Sequence, residues 1–205
     1  MSDPDLDAVT PRRPLGLAIA LIVFGIIGFG AAFQLTIDKI ATAANPNAAL
    51  DCNLSVLVQC GKNLGSWQGS VFGFPNPILG LAGWTAAIAM GVIILAVPSL
   101  PRWFWLTFNA GVTFAIVLVI FLIITSIYVL HTLCPWCMVT WAVTIPAFWA
   151  TTLYNFTAGN FGVGVRARAV FETLYSWTWV IVLASYVLVA VLAQLQLDWI
   201  HRAFV

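Results

Sequence analysis

The chain has 205 residues, of which 62% are hydrophobic and only 7% are charged, and its mean hydropathy is +1.01. A soluble domain of this length needs a charged surface, and these few charges cannot supply one. The composition therefore indicates an all-α integral membrane protein. The net charge of +1 and the lack of a basic run beyond Arg12-Arg13 argue against nucleic acid as a partner.

Five apolar segments are long enough to cross a bilayer, which takes about 20 helical residues. The predicted spans are residues 15–35, 78–97, 103–129, 138–154 and 174–195. Four small residues in the first span are predicted to allow close helix contacts: Gly16, Gly25, Gly28 and Gly30. A glycine-rich turn with Arg166 and Arg168 is predicted to lead into the fifth span. No repeat divides the chain, so we expect one membrane domain over residues 1–205, with residues 36–77 as a long outer loop.

The distribution of basic residues predicts the orientation, because cytoplasmic loops carry an excess of lysine and arginine. With the N-terminus inside, the cytoplasmic side holds five of them: Arg12, Arg13, Arg102, Arg166 and Arg168. The outer side then holds three: Lys39, Lys62 and Arg202. We therefore predict a cytoplasmic N-terminus and an outer C-terminus, which brings all four cysteines to the outer face.

Cys134-Pro135-Trp136-Cys137 forms a Cys-x-x-Cys motif where an outer connection enters the predicted fourth span. In such motifs the first thiolate is typically stabilised, and a helix N-terminus adds to the effect. The motif favours redox chemistry. A structural disulfide and half of a metal site are the alternatives, although a four-cysteine zinc site usually has two closely spaced pairs. We predict no metal ligands.

Cys52 and Cys60 lie in the outer loop and by themselves would indicate a structural disulfide. Disulfides persist on the oxidising side of a membrane. Beside a second pair on the same face, the two cysteines favour a shuttle, since electrons pass between such pairs by thiol–disulfide exchange. In this interpretation a flexible loop cysteine meets a partner outside and then moves onto Cys134.

Other parts of the outer loop also carry a pattern. Asp51-Cys52-Asn53 is typical of a turn with a helix-capping residue, and a short apolar patch follows at residues 54–58. The aromatic residues within 67–74 alternate with glycine and polar residues, which favours a short helix at the membrane interface. A membrane-surface cap without chemistry explains these aromatics equally well.

The two histidines, His131 and His201, lie near predicted helix ends and do not form a transmembrane haem site. We interpret His131 as an interface residue, with tuning of the Cys134 thiol as the alternative. Three charged residues are predicted to be solvated in the loop: Asp38, Lys39 and Asp51.

Together these motifs resemble the vitamin K epoxide reductase family, from the first span through the fourth. The resemblance rests on the loop pair Cys52/Cys60, on Trp67 followed by Phe72-Gly73, on Pro75-Asn76-Pro77-Ile78-Leu79-Gly80 and on Cys134-x-x-Cys137. The order of the pairs, with the loop pair first, is specific. The DsbB family performs similar chemistry with the order reversed and with four spans, and it is the alternative.

The resemblance implies a four-helix transmembrane bundle around a quinone, to which many bacterial members add a fifth helix, with the long outer loop capping the site. It implies that Cys137 faces the quinone and that Cys134 receives electrons from the loop. It also implies that Cys60 is the loop partner of Cys134, and that Cys52 meets the external reductant.

Two further positions are implied as quinone ligands. Asn76 matches the family's asparagine, which donates a hydrogen bond to a quinone carbonyl. Trp141 stands where the animal enzymes have a tyrosine as second donor, and its indole N–H has a different reach.

The resemblance further implies menaquinone or ubiquinone as the cofactor and a DsbA-like thioredoxin-fold protein as the electron donor. Some bacterial members carry a fused thioredoxin-like domain after the fifth helix, whereas this sequence ends at Val205, so we expect a separate partner. We therefore predict a quinone-dependent thiol oxidoreductase in the bacterial inner membrane, with its active site on the extracytoplasmic face. A non-catalytic scaffold or permease with structural disulfides is the alternative from another functional class.

Overall fold

The computed structural model describes residues 14–45 and 48–198. The helices of this part are α1 Leu15–Ala44, α2 Gly61–Gly65, α3 Asn76–Ala96, α4 Arg102–Ile124, α5 Pro135–Thr157, α6 Val165–Ser176 and α7 Thr178–Leu197. A short 3₁₀ turn covers Trp67–Ser70, and a π-helical segment, Thr125–Leu130, extends α4. Four of the predicted residues lie outside the described part: Arg12, Arg13, His201 and Arg202.

Five helices are long and apolar enough to cross a membrane: α1, α3, α4 with its π-helical extension, α5 and α7. The predicted all-α membrane protein with five spans is therefore confirmed. The first boundary was wrong, because α1 continues to Ala44 instead of ending at residue 35. Its 30 residues are about 45 Å long, which exceeds the roughly 30 Å of a hydrocarbon core. The last turns of α1 therefore project towards the loop.

The segment before the fifth span also differs from the prediction. Arg166 and Arg168 lie on a separate helix, α6, and not in a turn. The helix forms because the glycine-rich stretch ends at Gly164, after which helix-forming residues follow and Arg168 pairs with Glu172 at 3.3 Å. Phe171 stacks on Phe156 of α5 with ring centroids 3.9 Å apart. Helix α7 therefore begins at Thr178, four residues later than predicted.

Helix α5 is central to the bundle, since it contacts α1, α4, α6 and α7, while α3 packs on α1. Helices α1 and α3 can approach closely because α1 has glycines, which carry no side chain, where the two helices meet. A Cβ atom at Gly28 would lie 2.2 Å from the Trp84 ring, and one at Gly25 would lie 2.5 Å from Ile88. The prediction was wrong for Gly16 and Gly30, which face open space.

The five long helices alternate in direction, so the bundle has two distinct ends. The cysteine end carries Cys52, Cys60, Cys134 and Cys137, with the last turns of α1 and the first turns of α3 and α5. The opposite end carries Arg102, Arg166 and Arg168. The prediction that all four cysteines share one face is confirmed, and which face is cytoplasmic stays a prediction.

Candidate functional site

The four cysteines lie together at one end of the bundle. Cys52 and Cys60 are joined in a disulfide with Cα atoms 5.7 Å apart, while Cys134 and Cys137 are free thiols. The Sγ atom of Cys134 lies 3.4 Å from that of Cys60, although the two residues are 74 positions apart. This is the separation expected of reacting atoms positioned for attack, about 3–3.5 Å.

Backbone pairing holds the loop over the bundle. Val58 and Leu133 form a parallel bridge, in which the Leu133 N–H donates to the Leu57 carbonyl at 2.8 Å and the Gln59 N–H donates to the Leu133 carbonyl at 3.0 Å. Leu57 and Leu133 are both buried. The segment before Cys60 is thereby aligned with the segment before Cys134.

A buried polar group, missed in the sequence, adds a second attachment between the same segments. The Ser126 hydroxyl donates to the Thr132 carbonyl at 2.8 Å, and its oxygen lies 3.1 Å from Asn63 Oδ1. The Asn63 amide donates to the Thr132 hydroxyl at 3.2 Å. Ser126 and Thr132 are fully buried. Because Asn63 lies on α2, these bonds fix that short helix to the π-helical segment before Cys134.

The predicted capping turn at residues 51–53 is present and has a longer reach than the sequence indicates. Asn53 Oδ1 accepts hydrogen bonds from the N–H groups of Cys60 at 3.0 Å and Gly61 at 3.2 Å. Asn53 therefore caps the start of α2 from outside the helix. The bond also draws together the two ends of the segment between Cys52 and Cys60.

Cys134 is the N-cap residue of α5, as the sequence predicts for a thiol at a helix N-terminus. Its Sγ accepts a hydrogen bond from the Cys137 N–H at 3.3 Å. The hydrogen bond from the Cys137 side chain lowers the pKa of the Cys134 thiol, and the N–H groups of Cys137 and Trp136 lower it further against the opposing effect of burial. A lower pKa makes Cys134 a better leaving group in disulfide exchange.

An apolar cavity of about 320 Å³ lies between α1, α3, α4 and α5, beneath the loop. Cys137 lines this cavity, and so do the two predicted quinone ligands, Asn76 and Trp141. Cys134 does not line it. The two cysteines of the motif therefore face different surroundings: one contacts the loop disulfide and the other contacts the cavity.

Some polar groups around the cavity already form hydrogen bonds within the protein, and others do not. The Asn76 amide donates to the Gln68 carbonyl at 2.7 Å, and its oxygen accepts from the Val71 N–H at 3.1 Å, which leaves one amide hydrogen over. The Trp141 indole N–H and the Gln68 side-chain oxygen are buried and have no hydrogen-bond partner among the described residues. Buried polar groups are normally satisfied, so these two suit a ligand that accepts one bond and donates another.

The loop is docked in this structure and not extended towards solvent. Cys52 is only 4% exposed, and Cys60 and Cys134 are 0% exposed. Half of the predicted apolar patch projects outward, since Leu54 and Val56 are exposed while Leu57 is buried. Among the interface aromatics, Trp67 is largely exposed.

Two predictions about charged residues were wrong. Asp38 and Lys39 lie on α1 and not in a loop. Asp38 is 5% exposed, so it is not solvated, whereas Asp51 is exposed as predicted. His131, at the turn before Cys134, has a left-handed backbone with φ of 52°, and its ring lies 3.3 Å from the Gln196 amide of α7.

A model of the vitamin K epoxide reductase family matches residues 19–152. The matched region runs from α1 into α5 and contains all four cysteines. The chain belongs to the vitamin K epoxide reductase family. It is accordingly a multi-pass membrane oxidoreductase, and the DsbB alternative was wrong. Comparison with curated proteins gives no match.

Proposed function

We propose that this vitamin K epoxide reductase family member transfers electrons from a secreted DsbA-like thioredoxin-fold protein to menaquinone or ubiquinone, and so drives disulfide formation. The observation that carries the proposal is the position of the two motif thiols. Cys134 Sγ is 3.4 Å from Cys60 Sγ, and Cys137 lines an apolar cavity. Each step between the two sites then needs only exchange between neighbouring sulfur atoms.

The proposed cycle begins when the partner's dithiol reduces the Cys52–Cys60 disulfide and becomes a disulfide itself. The Cys60 thiolate then attacks Cys134 of a Cys134–Cys137 disulfide and releases Cys137 as a thiolate. Cys52 next attacks Cys60, which restores the loop disulfide and releases Cys134. The redox arrangement described above, a loop disulfide beside two motif thiols, corresponds to this point of the cycle. Re-forming the Cys134–Cys137 disulfide completes it and releases two electrons and two protons.

A bound quinone would supply the acceptor for those two electrons and two protons. The residues present fit such a group, because the cavity volume of about 320 Å³ lies within the roughly 300–1,000 Å³ of small-molecule sites. The Trp141 N–H would donate to a carbonyl, and the Gln68 oxygen would accept from a hydroxyl of the reduced form. The spare amide hydrogen of Asn76 is the second donor.

Reaction with the partner requires the docked loop to open around Cys52, which is 4% exposed. The exposed side chains of Leu54 and Val56 lie between the two loop cysteines in sequence and offer an apolar surface for that encounter. Cys60 is fully buried and is held by the hydrogen bond to Asn53 and by the Val58–Leu133 bridge in the chain before it, whereas the exposed residues Leu54 and Val56 follow Cys52. The role of Cys52 as the partner-facing cysteine follows from this difference.

We further propose that residues 1–205 act as one membrane domain with the N-terminus in the cytoplasm of a bacterial cell. The cysteine end would then face the extracytoplasmic side of the inner membrane. In support, the opposite end carries three arginines, Arg102, Arg166 and Arg168, and the loop contains a disulfide.

The test is a quinone-reduction assay with the purified protein, a short-chain menaquinone or ubiquinone, and a reduced DsbA-type protein. We expect the ultraviolet absorbance of the quinone to fall in step with oxidation of the partner's thiols, one quinone for each disulfide. Cys134→Ala is expected to abolish quinone reduction while the protein still accumulates in the membrane. Partner oxidation at the wild-type rate without Cys134, or without any quinone, would refute the proposed function.

A further inference from the structure

Asp38 places a buried carboxyl group against the loop disulfide. Its Oδ2 atom lies 3.5 Å from the Sγ atom of Cys52, and the Gln34 amide donates a hydrogen bond to its Oδ1 atom at 3.0 Å. The residue is 5% exposed. One carboxyl oxygen is thus held by Gln34, and the other faces the sulfur atom that the proposed function assigns to the partner.

No cation in the described part of the chain pairs with this carboxyl group. The adjacent Lys39 ammonium donates to the Leu64 carbonyl, and the only described ion pair joins Arg168 to Glu172 at the opposite end. A carboxylate that is buried without a cation is costly, and protonation removes that cost. Burial therefore disfavours the charged form, although the bond from Gln34 favours it, and in the neutral acid an O–H on Oδ2 would lie next to the Cys52 sulfur.

A structural acceptor or a metal ligand explains the position less well. A purely structural carboxylate would have donors on both oxygens, and here the second oxygen faces sulfur. Ligand atoms of Asp38, Cys52 and Cys60 lie within 4.8 Å of one another. Both sulfur atoms are bonded to each other, however, and metals bind thiolates.

We propose that Asp38 is a catalytic residue that gives a proton to Cys52 and takes it back once in each cycle; this assignment rests on the proposed function. When the partner resolves its mixed disulfide with Cys52, the partner's second sulfur bonds to its first, and the bond to Cys52 breaks. The electron pair stays on the Cys52 sulfur, and the Asp38 O–H protonates it. Later the Cys52 thiol returns this proton to the Asp38 carboxylate as its sulfur attacks Cys60, and Cys134 leaves with the electron pair.

The test compares Asp38→Asn with Asp51→Asn. The first variant keeps the size of the side chain and the bond from Gln34 but has no proton to give. The second makes the same Asp→Asn change at an exposed position next to Cys52, and so controls for the substitution itself. Acid-quenched mixtures with a reduced DsbA-type protein report the lifetime of the mixed disulfide. We expect that lifetime to rise at least ~10-fold in Asp38→Asn, as for loss of a general acid, and to stay within about twofold in Asp51→Asn.

A pH profile separates proton transfer from a merely structural role. The charged and titratable groups near Asp38 are Lys39 on α1, Asp51 and Cys52 in the loop, and Cys134 before α5. All of them remain in Asp38→Asn. The ratio of wild-type to variant rates is therefore expected to approach one as pH rises and Asp38 loses the proton it donates. Asp38→Glu is expected to recover part of the rate, which a packing defect would not allow.

A second measurement needs neither the partner nor a quinone. In a Cys134→Ala/Cys137→Ala background, a small dithiol can still reduce the Cys52–Cys60 disulfide. When the mixed disulfide between the dithiol and Cys52 breaks, the Cys52 thiolate is still released and still needs a proton. We expect Asp38→Asn to slow this reaction as well. If Asp38→Asn changes neither the reduction by the small dithiol nor the lifetime of the mixed disulfide, the proposed role of Asp38 is overturned. Quinone reduction by the wild type would continue in that case, and the proposed function would stand. Failure of the wild type to reduce quinone would refute the proposed function and leave this second measurement interpretable.

Discussion

Buried polar groups occur at both ends of the bundle, but they join different kinds of segment. At the opposite end, the Asn155 amide donates to Asn109 at 3.0 Å, the Asn160 amide donates to Asn155 at 2.7 Å, and the Arg102 side chain donates to the Asn160 carbonyl at 2.7 Å. At the cysteine end, Asn63 joins a loop helix to the turn before Cys134.

The two sets of bonds have different roles in the fold. The opposite end ties α4 to α5 and to the connection after it, with no thiol nearby. The cysteine end ties α2, which Cys60 precedes, to the segment that precedes Cys134 and α5. Damage at the opposite end should therefore lower stability, whereas damage at the cysteine end should separate reaction steps that normally follow one another.

The largest expected effect comes from Cys137, which lines the cavity. Cys137→Ser keeps a hydrogen-bond donor near Cys134 but cannot form a disulfide, so quinone reduction should be abolished. Reduction of the Cys52–Cys60 disulfide by the partner should continue for a single turnover. Quenched-flow measurement of the partner's thiols checks both points, and sustained quinone reduction by the serine variant would contradict the assignment.

Asn63→Ala tests the attachment of the loop. We expect transfer between Cys60 and Cys134 to slow roughly tenfold, because positioning of reacting groups can supply several kcal/mol of the barrier. Single-turnover kinetics of the motif thiols measure that step. The matched control is Asn155→Ala, which should lower stability by about 1–3 kcal/mol, since it leaves buried groups unpaired. Equal rates of Cys60–Cys134 transfer in Asn63→Ala and Asn155→Ala would mean that Asn63 has no specific part in positioning the two sulfur atoms.

Trp141→Phe removes one N–H group from the cavity wall with little change of shape. The loss of a hydrogen bond of about 0.5–1.5 kcal/mol should weaken quinone binding roughly two- to tenfold. Titration of quinone-reduction rates gives this as a rise in KM. Trp105→Phe, at a buried position outside the cavity lining, is the control. A rise of equal size in both variants would mean that the Trp141 N–H is not a ligand.

The smallest expected effect is on the titration of Cys134. Because the Cys137 side chain is the largest cause that lowers the pKa of Cys134, Cys137→Ala should raise that pKa. The Cys134 thiolate would then disappear at a higher pH as the solution is acidified. Thiolate absorbance in a Cys52→Ala/Cys60→Ala background follows the titration, and Cys137→Ser should show a smaller shift. An unmoved midpoint would mean that Cys137 does not stabilise the thiolate.

Local patterns in the sequence were sufficient for some of these features. The apolar lengths predicted five spans, and the spacing of Cys134 and Cys137 at a helix start predicted a capping thiol, because both properties depend on neighbouring residues. The close approach at Gly28 depends on Trp84 of another helix. For that reason the sequence alone did not distinguish Gly28, which is in close contact, from Gly16 and Gly30, which face open space.

Other features depend on contacts that no local pattern carries. Asp38 was predicted to be solvated because the end of α1 was placed too early, and its burial follows from the docked loop. Asn63 contacts Ser126 and Thr132, which follow it in the sequence by 63 and 69 positions. That the Trp141 N–H has no partner among the described residues is evident only from the three-dimensional structure.

We propose that electrons pass through a transient Cys60–Cys134 bond. In a Cys52→Ala/Cys137→Ala double variant, the two thiols that would resolve this bond are absent, from the loop side and from the cavity side. The sulfur atoms are 3.4 Å apart in the structure, so mild oxidation should join them. Mass spectrometry of a non-reduced digest should find peptides linked through Cys60 and Cys134, and free thiols at both positions would contradict this order of transfer.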